Sequence, residues 1–253
     1  MENWCSIRVN TLKVSREELK ERLEKNYEVN EVPWYDVALL INGRNLTSIE
    51  EYKFGYFYIQ SLASMLPVIA LDPQPGDYAL DLAAAPGSKT TQIAMHMQNQ
   101  GMLIANDSSY LRLKPLRGHL YRLGIICCKI TNYDGRRFPS KMRFNRILLD
   151  APCSGLGSHH AHSNYSPNRL NQMAKLQKEL LIHAYDLLLP GGRLVYSTCT
   201  TRKEENEDVV RHLLNKRNEA NLVKPNLSLE NDYNIGSRVK LDEFFFIAQI
   251  EKP

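Results

Sequence analysis

The stretch at residues 78–90, Y-A-L-D-L-A-A-A-P-G-S-K-T, constrains the chain more than any other. Its apolar start closing on Asp81 reads as a short buried strand, and the small residues Ala83, Ala84 and Ala85 followed by Pro86 and Gly87 read as a tight turn into a helix. Pro86 and Gly87 keep side-chain bulk off the backbone while Ser88 opens the helix, so free amides and the positive helix end face an incoming carboxylate or phosphate. Spacing excludes two common occupants. A phosphate-cradling loop needs G-x-x-x-x-G-K-[ST], but Leu82 stands at its first glycine and Ser88 separates Gly87 from Lys89. A dinucleotide turn needs three glycines, and this one has a single glycine. A nucleoside cofactor without a pyrophosphate remains, and S-adenosylmethionine fits. Its carboxylate would lie on the amides after Asp81, and its ribose needs a carboxylate at the end of the next strand, where L-I-A-N-D supplies Asp107.

Strand and helix patterns alternate from this turn onward. Strands are expected at 78–82, 102–106, 125–130, 145–149 and 193–197, with helices near 88–98, 109–123, 168–188 and 203–217. That is the pattern of an α/β, Rossmann-like, doubly wound and mostly parallel sheet. A short strand near 221–224 and a loop lead to the apolar run 244–250, which is too close for another long crossover and is expected to pair antiparallel. Upstream, residues 60–71 read as a helix. Residues 1–58 read as a small α+β unit with strands at 6–11, 27–32 and 38–41, and Ser15 with Glu18 forms a capping box before L-K-E-R-L-E. The division expected is therefore 1–58 and 59–253. The first unit is either a packing cap or an RNA-docking surface built on Arg8, Lys13, Arg16, Trp34, Tyr56 and Tyr58.

The 32 basic and 28 acidic residues give a net charge of +4, which suits a polyanionic partner without identifying one. No run approaches the roughly 18 apolar residues of a membrane span, and the opening M-E-N-W-C-S lacks the regions of a signal peptide, so a cytoplasmic protein with no membrane partner is expected. Five cysteines without framework spacing read as reduced thiols.

Ligands bind such sheets at the carboxyl ends of the strands, and each end here carries a polar group: Asp81, Asp107, Asp134, Asp150 and Thr198-Cys199. Singly, each Asp is equally a cap or turn former; together they outline one cleft. D-A-P-C-S-G and Y-S-T-C-T set Cys153 and Cys199 on neighbouring loops, whereas Cys127 and Cys128 sit inside an apolar strand. Neither loop thiol has C-x-x-C spacing, and although His159, His160 and His162 lie nearby, no metal is expected. A thiolate beside a methyl donor has a use. Carbon 5 of cytosine is a poor nucleophile until a thiolate adds to carbon 6, after which a base must remove the carbon 5 proton.

The motifs D-L-A-A-A-P-G-S-K-T, D-A-P-C-S-G and S-T-C-T, in this order, resemble those of the Nop/Sun family of RNA (cytosine-5) methyltransferases, from about residue 55 onward. R-V-N-T-L-K near the start resembles the family's N-terminal RNA-binding extension. The resemblance implies a class I methyltransferase fold with Cys199 as nucleophile and Cys153 assisting product release; DNA cytosine methyltransferases use the thiol of the P-C motif instead. It puts the cofactor on Ala83, Ala84, Ala85, Pro86, Gly87, Ser88 and Lys89, its ribose on Asp107, its adenine edge on Asp134 and its methyl group and the target base near Asp150; Lys89 and Asp150 are also the candidates for orienting and hydrogen-bonding the cytosine. Ala83 replaces the family's usual Cys and Ser88 its second Gly, and the segment S-H-H-A-H-S-N-Y-S-P departs from the basic stretch the family carries there.

The expected function is transfer of a methyl group to cytosine carbon 5 in RNA by a monomer, on an unstacked base. Arg112, Lys114, Arg117, Arg122, Arg136, Arg137, Lys141 and Arg143 are candidates for phosphate contacts, although a charge run is more often merely a solvated face. Transfer RNA is favoured because the chain is compact, with ribosomal RNA as the alternative. A non-catalytic assembly factor would not need both thiols, Asp150 and Lys89; a small-molecule methyltransferase would need neither two loop thiols nor the N-terminal unit.

Overall fold

The computed structural model describes residues 3–157, 166–227, 232–233 and 235–253. The N-terminal part contains β1 (Trp4–Val9), α1 (Arg16–Glu24), β2 (Glu28–Glu31), β3 (Ala38–Asn42), α2 (Glu50–Lys53) and β4 (Phe57–Ile59). Its strands form an antiparallel sheet in the order β2-β3-β1-β4. Helix α1 starts where expected because the Ser15 hydroxyl accepts the Glu18 N–H at 3.1 Å. Its Leu19 and Leu23, one turn apart, are buried against Ile7, Val9, Leu39, Ile41 and Phe57. β4 was not expected from the sequence; three residues are too few to show a period, and only pairing with Ile7, Arg8 and Val9 makes them a strand.

The large sheet runs β11 (Asp232–Tyr233), β12 (Ser237–Lys240), β13 (Phe244–Glu251), β9 (Leu188–Thr198), β8 (Phe144–Asp150), β5 (Tyr78–Asp81), β6 (Met102–Asn106), β7 (Cys128–Thr131), and β10 (Asn221–Val223) pairs with the far end of β13. The five strands from β9 to β7 are mutually parallel, and β13 runs antiparallel to β9 as expected. Burial alternates with period two. Ile147 and Leu149 face a layer containing α6 (Pro167–Leu187) and α7 (Glu207–Lys216), while Leu148 between them faces α3 (Leu62–Leu71) and α4 (Ser88–His96). Helix α5 (Tyr110–Leu123) covers β6 and β7 with Leu113, Leu116 and Leu120. Because β6 and β7 lie on one side of β5 and β8 returns to the other, the chain reverses direction across the sheet at β5. That is where ligands enter sheets of this kind.

Four expectations need correction. β7 begins at Cys128 rather than 125, and Cys127 precedes it with its carbonyl accepting from the Leu103 N–H at 2.9 Å. α7 begins at Glu207 rather than 203, because the side chains of Glu205 and Asn206 are engaged with neighbouring loops. Arg8 and Tyr58 are not on a docking surface, being only 2% and 8% exposed. The Arg8 guanidinium donates to the Ser88 carbonyl and the Thr91 hydroxyl, each at 2.8 Å, and to the Gln60 side chain, tying β1 to the first turn of α4. Arg122 is likewise turned inward, donating to the Tyr52 and Phe57 carbonyls. Arg112, Lys114, Arg117, Arg136, Arg137, Lys141 and Arg143 are exposed.

Candidate active site

The turn after β5 has the conformation its sequence calls for. Gly87 precedes α4 at φ 110°, a left-handed conformation that side-chain-bearing residues rarely adopt, and a Cβ there would meet Leu116 Cδ1 at 2.5 Å. No side chain caps α4, so its first-turn N–H groups are left for a ligand. Asp81, at the end of β5, faces inward instead. It is buried beneath the turn and accepts from the Thr90 hydroxyl at 2.6 Å, and burial pushes its carboxyl up to about 7. It shapes the turn and does not line the cleft.

Asp107 follows β6 and is 3% exposed, with one carboxylate oxygen accepting the Ala85 N–H at 3.2 Å and the other the Ser109 N–H at 2.9 Å. Arg112 lies 3.5 Å from it and also donates to the Ala85 carbonyl, so the turn after β5 and the start of α5 are joined. Past β7, Asp134 caps the 3-10 turn Gly135–Arg137 and binds the Arg136 guanidinium at 2.6 Å, which holds its carboxyl down at about 2. These residues line a cleft of about 380 Å³ together with Leu82, Ala83, Ala85, Asp150, Cys153 and Cys199. That volume is ordinary for a small-molecule site.

The reactive side of the cleft is assembled from four elements. Lys89 on α4 is 7% exposed, and its ammonium donates to Asp150 Oδ2 at 2.7 Å and to the Ser64 hydroxyl of α3 at 2.9 Å, 4.9 Å from the Phe245 ring centroid. A buried ammonium without a partner costs several kcal/mol, so the pairing is obligatory. Asp150 Oδ1 accepts from the Ser197 hydroxyl at 2.7 Å, and residues 150 and 197 are register partners across β8 and β9. One residue beyond β9, Cys199 Sγ lies 3.4 Å from Cys153 Sγ. The hydrogen bond from Cys153 lowers the Cys199 thiol below its ordinary value; the Lys89 charge works the same way, against burial and Asp150. Cys153 is raised by that same hydrogen bond and by burial. Cys127 and Cys128 are both raised by burial.

Every site residue expected from the sequence that lies among the described residues falls around this cleft or on the turn and helix that form it. His159, His160 and His162 lie outside the described residues, among which no cluster of His, Cys, Asp or Glu is arranged to hold a metal. Sequence reasoning missed Ser64 and Ser197. Ser197 had a signal, standing two positions before Cys199 on the same strand end; Ser64 had none, since it reaches Lys89 from 25 residues away.

A mostly parallel Rossmann-like sheet with an antiparallel last strand, carrying an uncapped glycine turn and acidic strand ends along one cleft, defines a nucleoside-cofactor methyltransferase fold. The family model described as 16S rRNA methyltransferase RsmB/F matches residues 68–250, and the chain belongs to this S-adenosylmethionine-dependent branch of the Nop/Sun methyltransferases. It is 41% identical over 98% of its length to ribosomal RNA small subunit methyltransferase F of Aliivibrio fischeri, covering 57% of that protein. It is 38% identical, over 98% of its length and 88% of the relative's, to the tRNA (cytosine(49)-C(5))-methyltransferase of Pyrococcus abyssi. The chain thus spans little more than half the length of the ribosomal relatives it matches. Among solved structures, NSun6 from Pyrococcus horikoshii with the S-adenosylmethionine analogue SFG superposes with a TM-score of 0.92 at 25% identity, over 99% of this chain and 91% of that one. A methyltransferase homolog from the same organism superposes at 0.88 with 34% identity, over 100% and 87%. The residues present fit the cofactor: a bare helix N-terminus suits its carboxylate, and the Asp107 carboxylate beside it suits its ribose hydroxyls.

Proposed function

We propose that the protein methylates carbon 5 of a cytosine in RNA through a covalent Cys199 adduct, working in the cytoplasm as a monomer. The observation that carries this reading is the thiol pair itself, with Cys153 and Cys199 in hydrogen-bond contact beside the Lys89–Asp150 ion pair. The Cys199 thiolate adds to ring carbon 6, and Lys89 and Asp150 hold the cytosine edge while carbon 5 becomes nucleophilic. When bound, S-adenosylmethionine supplies the electrophilic methyl group, held by residues 83–89, Asp107, Asp134 and Asp150. Loss of the carbon 5 proton to a base then re-forms the ring double bond and expels Cys199, with Cys153 protonating or assisting the departing thiolate.

Transfer RNA is the proposed substrate. What supports it is the Pyrococcus abyssi enzyme named for transfer RNA, matched across 88% of its own length. Ribosomal RNA is the second reading, favoured by the 41% identity to the Aliivibrio fischeri enzyme named for it. Incubation with total RNA and labelled S-adenosylmethionine, followed by bisulfite mapping, tests both. A 5-methylcytosine at one transfer RNA position is the expected result; label confined to ribosomal RNA selects the second reading. No incorporation despite demonstrated cofactor binding would overturn the enzymatic reading in favour of an RNA-binding assembly factor.

A further inference from the structure

The two thiol loops come from separate strands, and the side chains that hold them together are neighbours in sequence. Glu205, fully buried just before α7, accepts the Ser154 N–H at 2.9 Å and the Gln177 amide at 3.0 Å, and that same amide donates to the Pro152 carbonyl at 2.8 Å. Cys153 is therefore bracketed on both sides. Asn206, also fully buried, accepts from the Thr198 hydroxyl at 2.5 Å and donates to the Thr200 carbonyl at 2.8 Å, bracketing Cys199 in the same way. A hydroxyl contact of 2.9 Å between Ser154 and Thr200 joins the two brackets, and the Tyr196 hydroxyl anchors the pair by donating to the Glu205 carbonyl.

Two features make a purely stabilising role a poor explanation. Asn206 occupies the N-cap of α7 but makes no side-chain cap, although Asn is among the best capping residues. Glu205 sits fully buried with its Oε1 lacking a hydrogen-bond partner among the described residues, and Gln177 Oε1 is in the same condition. Burying an acid in this way is expensive, and an apolar side chain of the same shape would cost less. Both residues forgo local stability to hold loops.

We propose that Glu205 and Asn206 are positioning residues that act as one clamp on the two thiol loops, setting the contact between Cys153 and Cys199 on which nucleophile activation and product release depend. The assignment rests on the adduct reading above for the roles of the thiols; the clamp itself rests on hydrogen-bond geometry.

Alkylation by iodoacetamide, with each cysteine followed by peptide mass mapping across neutral to alkaline pH, tests the clamp without RNA. In the unmodified chain Cys199 should react at lower pH than Cys127. Glu205→Gln and Asn206→Ala should each move the Cys199 midpoint upward by about half a pH unit or more, the direction expected from Cys153→Ala, with the Cys127 rate unchanged. Gln177→Met, which leaves Glu205 in place but releases Pro152, should give a smaller shift of the same sign. A Cys199 midpoint unmoved in both clamp variants overturns the proposal, as does a parallel acceleration at Cys127, which would mean general loosening. With RNA, Glu205→Gln should lower kcat about tenfold with KM unchanged and accumulate protein–RNA adduct. An unmodified chain that methylates no cytosine would overturn the adduct reading, while the alkylation profile decides the clamp separately.

Discussion

The chain carries two pairs of cysteines that come together in opposite ways. Cys127 and Cys128 are adjacent in sequence, Cys128 opening β7 and Cys127 just before it, half-buried against Leu103 and the helices beside it. Cys153 and Cys199 are 46 residues apart and meet because β8 and β9 end side by side. Burial raises both thiols of the first pair and outweighs the backbone hydrogen bonds that pull the other way. In the second pair the Cys153 hydrogen bond and the Lys89 charge overcome burial at Cys199. The direction in which each thiol is shifted therefore follows position at the strand ends, where hydrogen bonds and charges converge, and not burial, which the pairs share.

The contrast is most sharply tested by removing each thiol in turn. Cys199→Ala should reduce methylation by roughly 10^4-fold or more while leaving S-adenosylhomocysteine affinity unchanged, measured by labelled-methyl transfer and calorimetry. Activity retained by this variant would mean that the nucleophile has been misassigned. Cys153→Ala should slow turnover by about 10^2-fold and leave protein–RNA adduct visible on denaturing gels. The smallest effect belongs to the other pair. Cys128→Ala should leave methylation intact and cost about 1 kcal/mol in urea denaturation. Because burial raises the folded-state thiol above its ordinary 9.0, the native protein resists ionisation that the unfolded chain accepts, so stability falls as pH rises past that value. Cys128→Ala should flatten that decline.

Much of this arrangement was legible in the sequence because its cause is local. The strand at 78–82, the turn at Gly87 and the polar strand ends follow from burial period and from the few residues a left-handed turn admits. The antiparallel last strand followed from a connection too short to cross over. Elements whose existence depends on a partner were not legible: β4 is a strand only beside β1, and α7 starts late because Glu205 and Asn206 are held by other loops. Arg8 was legible as a basic residue but not as a buried one, since its partners lie on α4.

The sequence by itself determined the alternation of strands and helices, the glycine turn after the strand at 78–82 and which residue types stand at the strand ends, all consequences of period and spacing within a few residues. Only the tertiary structure decided that two thiols 46 positions apart lie 3.4 Å from each other, that Lys89 reaches Asp150 and Ser64, and that Asp81 faces inward. The reason is physical: a contact across strands costs chain entropy that burial and hydrogen bonds elsewhere in the sheet must offset, and the balance exists only once the whole sheet has formed.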